Sequence, residues 1–263
     1  MTYETVETDR RGPVAWVRIN RPKAMNAISP AVIRDLDAAF AAIRGDDAVR
    51  VVVLTGSGTA FSAGADLSFA LDSLQRGEAG PFIAFVEEIG EVARHVTRFP
   101  KPVIACVNGI ACAGGLELIL CCDLVYAGES TKIGDAHANF GLIPGAGGAA
   151  RLPKRIGAQL AKELLFTGDF VPAAKLAAAG LVNAVFPDAV LEAEVQKIAE
   201  KIAGKSPVGL RRMKEIADDS LEQSDEAALR LERTALAAHL STEDVRLGLE
   251  AFRAKKKPEF VGR

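Results

Sequence analysis

Four short runs of β-branched and aliphatic residues recur along this chain: VRVVVLTG at 49–56, KPVIACVNG at 101–109, DLVYAG at 123–128 and LVNAVF at 181–186. They are continuous rather than alternating and are bounded by glycine or polar residues, the pattern of strands covered on both faces. Helical periodicities separate them, so the strands are joined by crossovers, and an α/β architecture with a largely parallel sheet is the economical solution.

Ahead of these runs, the first twenty residues alternate around Val14, Trp16 and Ile19, which predicts strands with a turn at Arg11-Gly12-Pro13. Ser29-Pro30 then opens a helix. Serine can cap free backbone N–H groups, proline fits the first helical position, and Val32, Leu36, Ala39, Phe40 and Ile43 mark one apolar face. Gly45 ends it. From residue 188 the chain is rich in Ala, Leu, Glu, Lys and Arg with few breakers, mainly Gly204 and Pro207, and reads as helical almost to its end. That tail is expected to pack on the core or on another subunit.

Composition narrows the partners. Of 263 residues, 32 are basic and 34 acidic, a formal net charge of −2, so no global field draws in nucleic acid or an anionic membrane surface. An anionic ligand has to be held by local chemistry. The N-terminal MTYETVETDRRG lacks the apolar stretch of a secretory signal, and no window approaches the about 20 apolar residues that cross a bilayer; we expect a cytoplasmic protein without a membrane partner. Cys106, Cys112, Cys121 and Cys122 crowd into one apolar region without metal-ligand spacing, which predicts buried free thiols in a reducing compartment and no metal site.

One charge interrupts the segment ACAGGLELILCC at 111–122, Glu117, just after two glycines. VIACVNG predicts a strand ending in a turn, and GGLELILCCDL a helix that starts near Gly114. The first N–H groups of a helix lack internal partners and carry the positive end of its dipole, and glycine lets a ligand oxygen approach them. Taken alone, Glu117 could merely complement that dipole. A second segment, AFSAGADL at 60–67, again follows a buried strand with a small-residue turn at Ala63, Gly64 and Ala65. Two such turns could supply two converging N–H donors, the geometry of an oxyanion hole. The glycines of IPGAGGAARLP do not complete a dinucleotide-binding spacing, and a helix start is expected there instead. His95 and His239 fall in helical stretches and are assigned to surface or packing.

INRPKAMNAIS (19–29), FSAGADL (61–67), VNGIACAGGLEL (107–118) and GLIPGAGGAARL (141–152) occur in the order and spacing of the crotonase superfamily, the enoyl-CoA hydratase/isomerase family. The resemblance runs nearly the whole chain, to AFRAKKKPEF at 251–260. It implies a crotonase-like (ClpP/crotonase) fold of repeated ββα units over 1–187, carrying an acyl-CoA site, and a helical oligomerisation region over 188–263. It implies an acyl-CoA thioester as substrate, a homotrimer or a hexamer built as a dimer of trimers, and no cofactor beyond the CoA of the substrate.

By the same resemblance, the backbone N–H groups of Ala65 and Gly114 form the oxyanion hole, and Glu117 is the glutamate that activates water. Family hydratases carry a second glutamate for the carbon next to the carbonyl. Its position falls twenty residues after Glu117, where this chain has His137. Histidine can move a proton near neutrality, so Glu117 and His137 are the candidate catalytic pair. Asp135 and Asn139 are weaker stand-ins, expected to face solvent or form the turn. The family pattern sets CoA against Lys23, Ala24 and Met25 and against the turn containing Ala63, Asp66 and Leu67, while Phe252 and Lys255 match positions that reach it from a neighbouring subunit. The segment 68–82 is expected to line or cover the acyl pocket. Hydration of a 2-enoyl-CoA is the leading reaction. Movement of a double bond from C3 to C2, another thioester reaction such as decarboxylation or hydrolysis, and a silent acyl-CoA-binding subunit are the alternatives.

Overall fold

The computed structural model describes residues 2–263. Val6–Arg11 (β1) and Val14–Ile19 (β2) pair antiparallel, with Arg11 opposite Val14, so the Arg-Gly-Pro turn closes the expected hairpin. Ser29 caps the next helix, Pro30–Arg44 (α1), its Oγ accepting from Val32 N–H at 3.4 Å, and Gly45 stands at the end. Val51–Gly56 (β3) then lies parallel to β2 and is buried along its whole length.

The next elements repeat a pattern. β3 is followed by Ala60–Ser62 (β4) and the helices Leu67–Gln75 (α2) and Ala79–Thr97 (α3). Val103–Val107 (β5) is followed by Ile110–Cys112 (β6) and Gly114–Ile119 (α4). Leu124–Gly128 (β7) is followed by Lys132–Gly134 (β8) and, after a turn, Gly148–Ile156 (α5). Ala158–Thr167 (α6), Phe170–Pro172 (β9), Ala173–Ala178 (α7) and Ala184–Phe186 (β10) complete the sheets. The first strand of each unit joins a six-stranded sheet ordered β1-β2-β3-β5-β7-β10, and the second joins a four-stranded sheet ordered β4-β6-β8-β9. These are the ββα repeats that the resemblance implies. β10 is shorter than the run LVNAVF: Leu181 and Val182 donate their N–H groups back to the Leu176 carbonyl and close α7 instead of extending the strand.

Two apolar clusters sandwich the large sheet. Val52 and Leu54 face one, with α1 and α3; Val51 and Val53 face the other, with Trp16, Ile104 and the inner face of Leu191–Ala203 (α8). Burial on both faces is why the strand-forming runs lack alternation. Trp16 Nε1–H donates to Gln196 Oε1 at 2.7 Å, tying α8 to the sheet. Pro207–Ser220 (α9), Asp225–His239 (α10) and Glu243–Arg253 (α11) follow, and α9 is anchored to the core by Lys214 Nζ on Asp123 at 2.9 Å. Among the described residues, no helix is long and apolar enough to cross a membrane.

Candidate active site

The turn between β6 and α4 is strained. Ala113, not a glycine, sits at φ 49° and ψ −120°, a region that costs a residue with a Cβ about 1–3 kcal/mol. Its N–H donates to the Asp135 carbonyl at 2.9 Å, which holds the backbone there. The following helix is fully buried, and it packs on β4 because Gly115 has no side chain: a β-carbon would lie 2.3 Å from the Ser62 carbonyl oxygen.

The second small-residue turn locks into the first. Gly64 has φ +89°, and a β-carbon there would stand 2.7 Å from Ala113 Cβ and 2.9 Å from the Gly114 nitrogen. Gly64 C=O and Asp66 N–H both bond Ile28, at 2.8 Å each, which turns the intervening Ala65 N–H to the opposite side. A β-carbon on Gly114 would lie 3.4 Å from the Ala65 nitrogen, so the two amides are neighbours. Among the described residues neither N–H has a protein acceptor, and both residues border one cavity of about 110 Å³.

Glu117 borders the same cavity at 3% exposure. Its Oε1 accepts two backbone N–H groups, from Ala146 and Gly148, each at 2.8 Å. Gly148 is the first residue of α5, so the GAGG loop is a helix start, as expected, but one aimed at the catalytic candidate. Burial pushes the Glu117 carboxyl above its ordinary pKa, opposed by the Gly148 N–H, the charge of His137 and the Ala146 N–H. Oε2 has no protein hydrogen bond among the described residues.

His137 borders the same cavity. Its Nδ1 lies 3.0 Å from Asp135 Oδ1, and its backbone N–H donates to the same oxygen at 3.3 Å. The residue between them, Ala136, is held left-handed at φ 62°. Of the two expectations for Asp135, exposure to solvent is overturned, since it is 0% exposed with its carbonyl bonded to Ala113 and its carboxylate against the imidazole, whereas the turn-forming role holds, since Oδ1 accepts the N–H two residues on. Asn139 is exposed and donates through Nδ2 to the Gly168 carbonyl at 3.0 Å, a contact outside the cavity.

Phe82, Val86 and Ile89 from α3, with Leu142 and Ile143, make the apolar wall. Of the segment 68–82, Phe82 lines the cavity, whereas Phe69 packs on Phe85 with ring centroids 4.9 Å apart. Ala63, Ala65 and Leu67 border the cavity as well. Met25 adjoins it through the Ala63 N–H, which donates to the Met25 carbonyl at 2.9 Å, while Lys23 and Ala24 lie in the short helical turn Pro22–Ala24 just before it and line no part of the cavity. Asp66 is engaged by Arg21 at 3.1 Å. Phe252 and Lys255 sit at and just beyond the end of α11 and line no part of this cavity; Phe252 is 83% exposed. All four cysteines are buried free thiols, and burial pushes Cys112, beside the cavity, up to about 11, which keeps it a thiol.

Sequence reasoning missed Ala146 and the strained alanines, and it ranked Asp135 only as a weaker stand-in. One signal was available for the first: α5 starts after Gly147 with no side-chain cap and no acidic residue in its first turn, leaving its N–H groups to a carboxylate from elsewhere.

The sequence model of the enoyl-CoA hydratase/isomerase family matches residues 9–263. A crotonyl-CoA hydratase of Syntrophomonas wolfei is 37% identical, with 100% of both chains covered. A 2,3-dehydroadipyl-CoA hydratase of Escherichia coli is 36% identical over 97% of each. The crystal structure of an enoyl-CoA hydratase from Bacillus anthracis superposes with a TM-score of 0.92 at 35% identity, covering 99% of this chain and 100% of that one.

Proposed function

The chain belongs to the enoyl-CoA hydratase/isomerase family, and from that membership we propose that it is a hydratase adding water across the C2–C3 double bond of a 2-enoyl-CoA thioester. The observation that carries this reading is the convergence on one cavity of two free backbone N–H groups, a buried carboxylate and an imidazole.

The chemistry follows from the donors. The thioester oxygen accepts from the Ala65 and Gly114 amides, and charge that builds there in the transition state is met by fixed dipoles, each worth about 2.7 to 4 kcal/mol. A water on Glu117 Oε2 loses a proton to the carboxylate as its oxygen bonds to C3. The electron pair of the double bond moves towards the thioester oxygen. When the carbonyl reforms, C2 takes a proton from the His137 imidazolium. One H and one OH have been added, Glu117 is left protonated and His137 neutral, and transfer of the proton from Glu117 to His137 resets the site. Glu117 must therefore be ionised in the resting state. Two amide donors and the imidazolium favour that form against the effect of burial.

CoA fits against Lys23, Ala24 and Met25 on one side and Ala63, Asp66 and Leu67 on the other. Phe252 and Lys255 would act on it from an adjacent copy in a homotrimer or dimer of trimers. No cofactor enters the reaction so written. The relatives act on crotonyl-CoA and 2,3-dehydroadipyl-CoA according to their names, so the acyl group is open to experiment. Incubation with a short 2-enoyl-CoA should remove the conjugated absorbance and yield the 3-hydroxyacyl thioester. A gain of that absorbance from a 3-enoyl-CoA, without hydration of the 2-isomer, would replace this reading by the isomerase.

A further inference from the structure

The hydratase reading gives Asp135 no part, yet among the described residues it is the one carboxylate with a buried oxygen left unpaired. Asp135 is completely buried, its Oδ1 serves both the ring and the backbone N–H of His137, and its Oδ2 is buried with no hydrogen-bond partner among the described residues. An aspartate kept for architecture looks different. Asp244 is equally buried, but its Oδ1 accepts from the Val261 and Gly262 N–H groups and its Oδ2 from the Ser206 hydroxyl, so both oxygens are satisfied. A buried carboxylate with one oxygen orphaned costs stability, and such costs persist at sites where they serve a purpose.

The local backbone indicates the purpose. Ala136, forced left-handed, folds residue 137 back over residue 135, and the Asp135 carbonyl simultaneously accepts from Ala113, the residue before Gly114. One residue thus fixes both the imidazole and the turn that carries an amide donor of the cavity. With Nδ1 on the carboxylate, the other ring nitrogen, Nε2, has no protein partner among the described residues and belongs to a side chain lining the cavity.

Resting on the hydratase reading, we infer that Asp135 is a positioning residue: it accepts the Nδ1–H of His137, fixing the ring's orientation and tautomer so that Nε2 is the atom that exchanges a proton with C2 of the substrate. A histidine whose proton sites are chosen by a neighbouring carboxylate differs from a glutamate at the same place, because its reactive nitrogen is defined only while that carboxylate is present.

The test reads the ring directly. The chain has only three histidines, so in the ¹⁵N-labelled, unliganded protein the His137 ring signals are identified by their loss in His137→Gln. At alkaline pH, where the rings are neutral, the wild-type His137 should carry its proton on Nδ1. Asp135→Asn should lose that preference and lower kcat by about 10²- to 10⁴-fold, the usual worth of general acid–base catalysis, while KM for a 2-enoyl-CoA stays nearly unchanged. Asp135→Glu, which keeps the carboxylate, should recover part of the rate.

A wild-type ring protonated on Nε2 overturns the inference. So does an Asp135→Asn protein that keeps its kcat, or one whose kcat falls while the tautomer stays as it was, since the loss would then be structural. If the variant does not fold, the wild-type tautomer decides alone. Absence of hydration by the wild-type protein sinks the hydratase reading and leaves the spectroscopic result standing on its own.

Discussion

The stretch from β6 to the start of α5 and the stretch from α9 to α11 break opposite rules. The first buries polar groups: Glu117 and Asp135 are almost without exposure, and Ala113 and Ala136 hold strained backbone around them. The second exposes apolar ones: Met213, Leu229, Leu236, Leu240, Leu249 and Phe252 are all open to solvent on helices whose only buried residues are Gly209 and Asp244. Buried charge and exposed hydrocarbon are the two informative departures from ordinary folding. Buried charge marks where a chain does chemistry, and a broad exposed apolar surface marks where it meets another molecule.

The largest effect should come from emptying the first region of its charge. Glu117→Gln retains an oxygen for the Ala146 and Gly148 amides, so the fold should persist, while kcat for hydration falls by at least about 10²- to 10⁴-fold. Steady-state kinetics with circular dichroism checks both; a variant hydrating at the wild-type rate removes Glu117 from the mechanism.

Gly64→Ala should rank next. The new methyl would lie 2.7 Å from Ala113 Cβ at a φ of +89°, so the two turns must part. We expect a loss of about 10²-fold in kcat, as for one displaced oxyanion donor, and about 1–3 kcal/mol of stability. Gly77→Ala is the control: its φ is +72° but nothing lies within 4 Å of the added carbon. It should lose some stability and keep its kcat. Equal kinetic losses in the two variants would mean that strain alone, not the meeting of the turns, governs the rate.

The second region is tested by charge added rather than removed. Leu229 and Leu236 line one groove between α9 and α10. In the proposed homo-oligomer this face would join the copies, so changing both to glutamate should leave the monomer folded and shift the protein towards it in sedimentation velocity, with a far smaller change in kcat than either variant above. An unchanged sedimentation coefficient in both proteins would show that this apolar face is not what joins the copies.

The contrast also explains what could be read from sequence. VVVLTG and VIACV were legible because burial on both sides leaves a continuous apolar run, and the glycine turns at 63–65 and 113–115 because close backbone approach demands small residues. β4, β6, β8 and β9 are three residues each and carry no period; their neighbours define them, not their composition. Asp135 looked like an ordinary loop aspartate, since only the bond from Ala113 and the left-handed Ala136 bury it. Glu117 was visible as an anomaly, while the amides that hold it lie about thirty residues further on, across a helix start whose direction no local pattern reveals.

The smallest effect concerns the free energy stored at Glu117. Burial raises its folded pKa above the value in the unfolded chain, so the carboxyl binds its proton more tightly when folded. By linkage, stability associated with this group is fully present below the unfolded pKa and is lost as pH rises through the folded one. A glutamine at 117 has no such loss. The difference in Tm between Glu117→Gln and the wild type should therefore be most favourable to the variant at neutral pH and should shrink as pH is lowered through the folded pKa of Glu117. Hydration by the wild type, which in the proposed mechanism needs the ionised carboxylate, should fall over that same interval. Differential scanning fluorimetry across pH measures the first trend and initial rates the second. If the Tm gap widened in acid instead, the amides of Ala146 and Gly148 would outweigh burial, and Glu117 would be a stabilising charge with no cost set aside for chemistry.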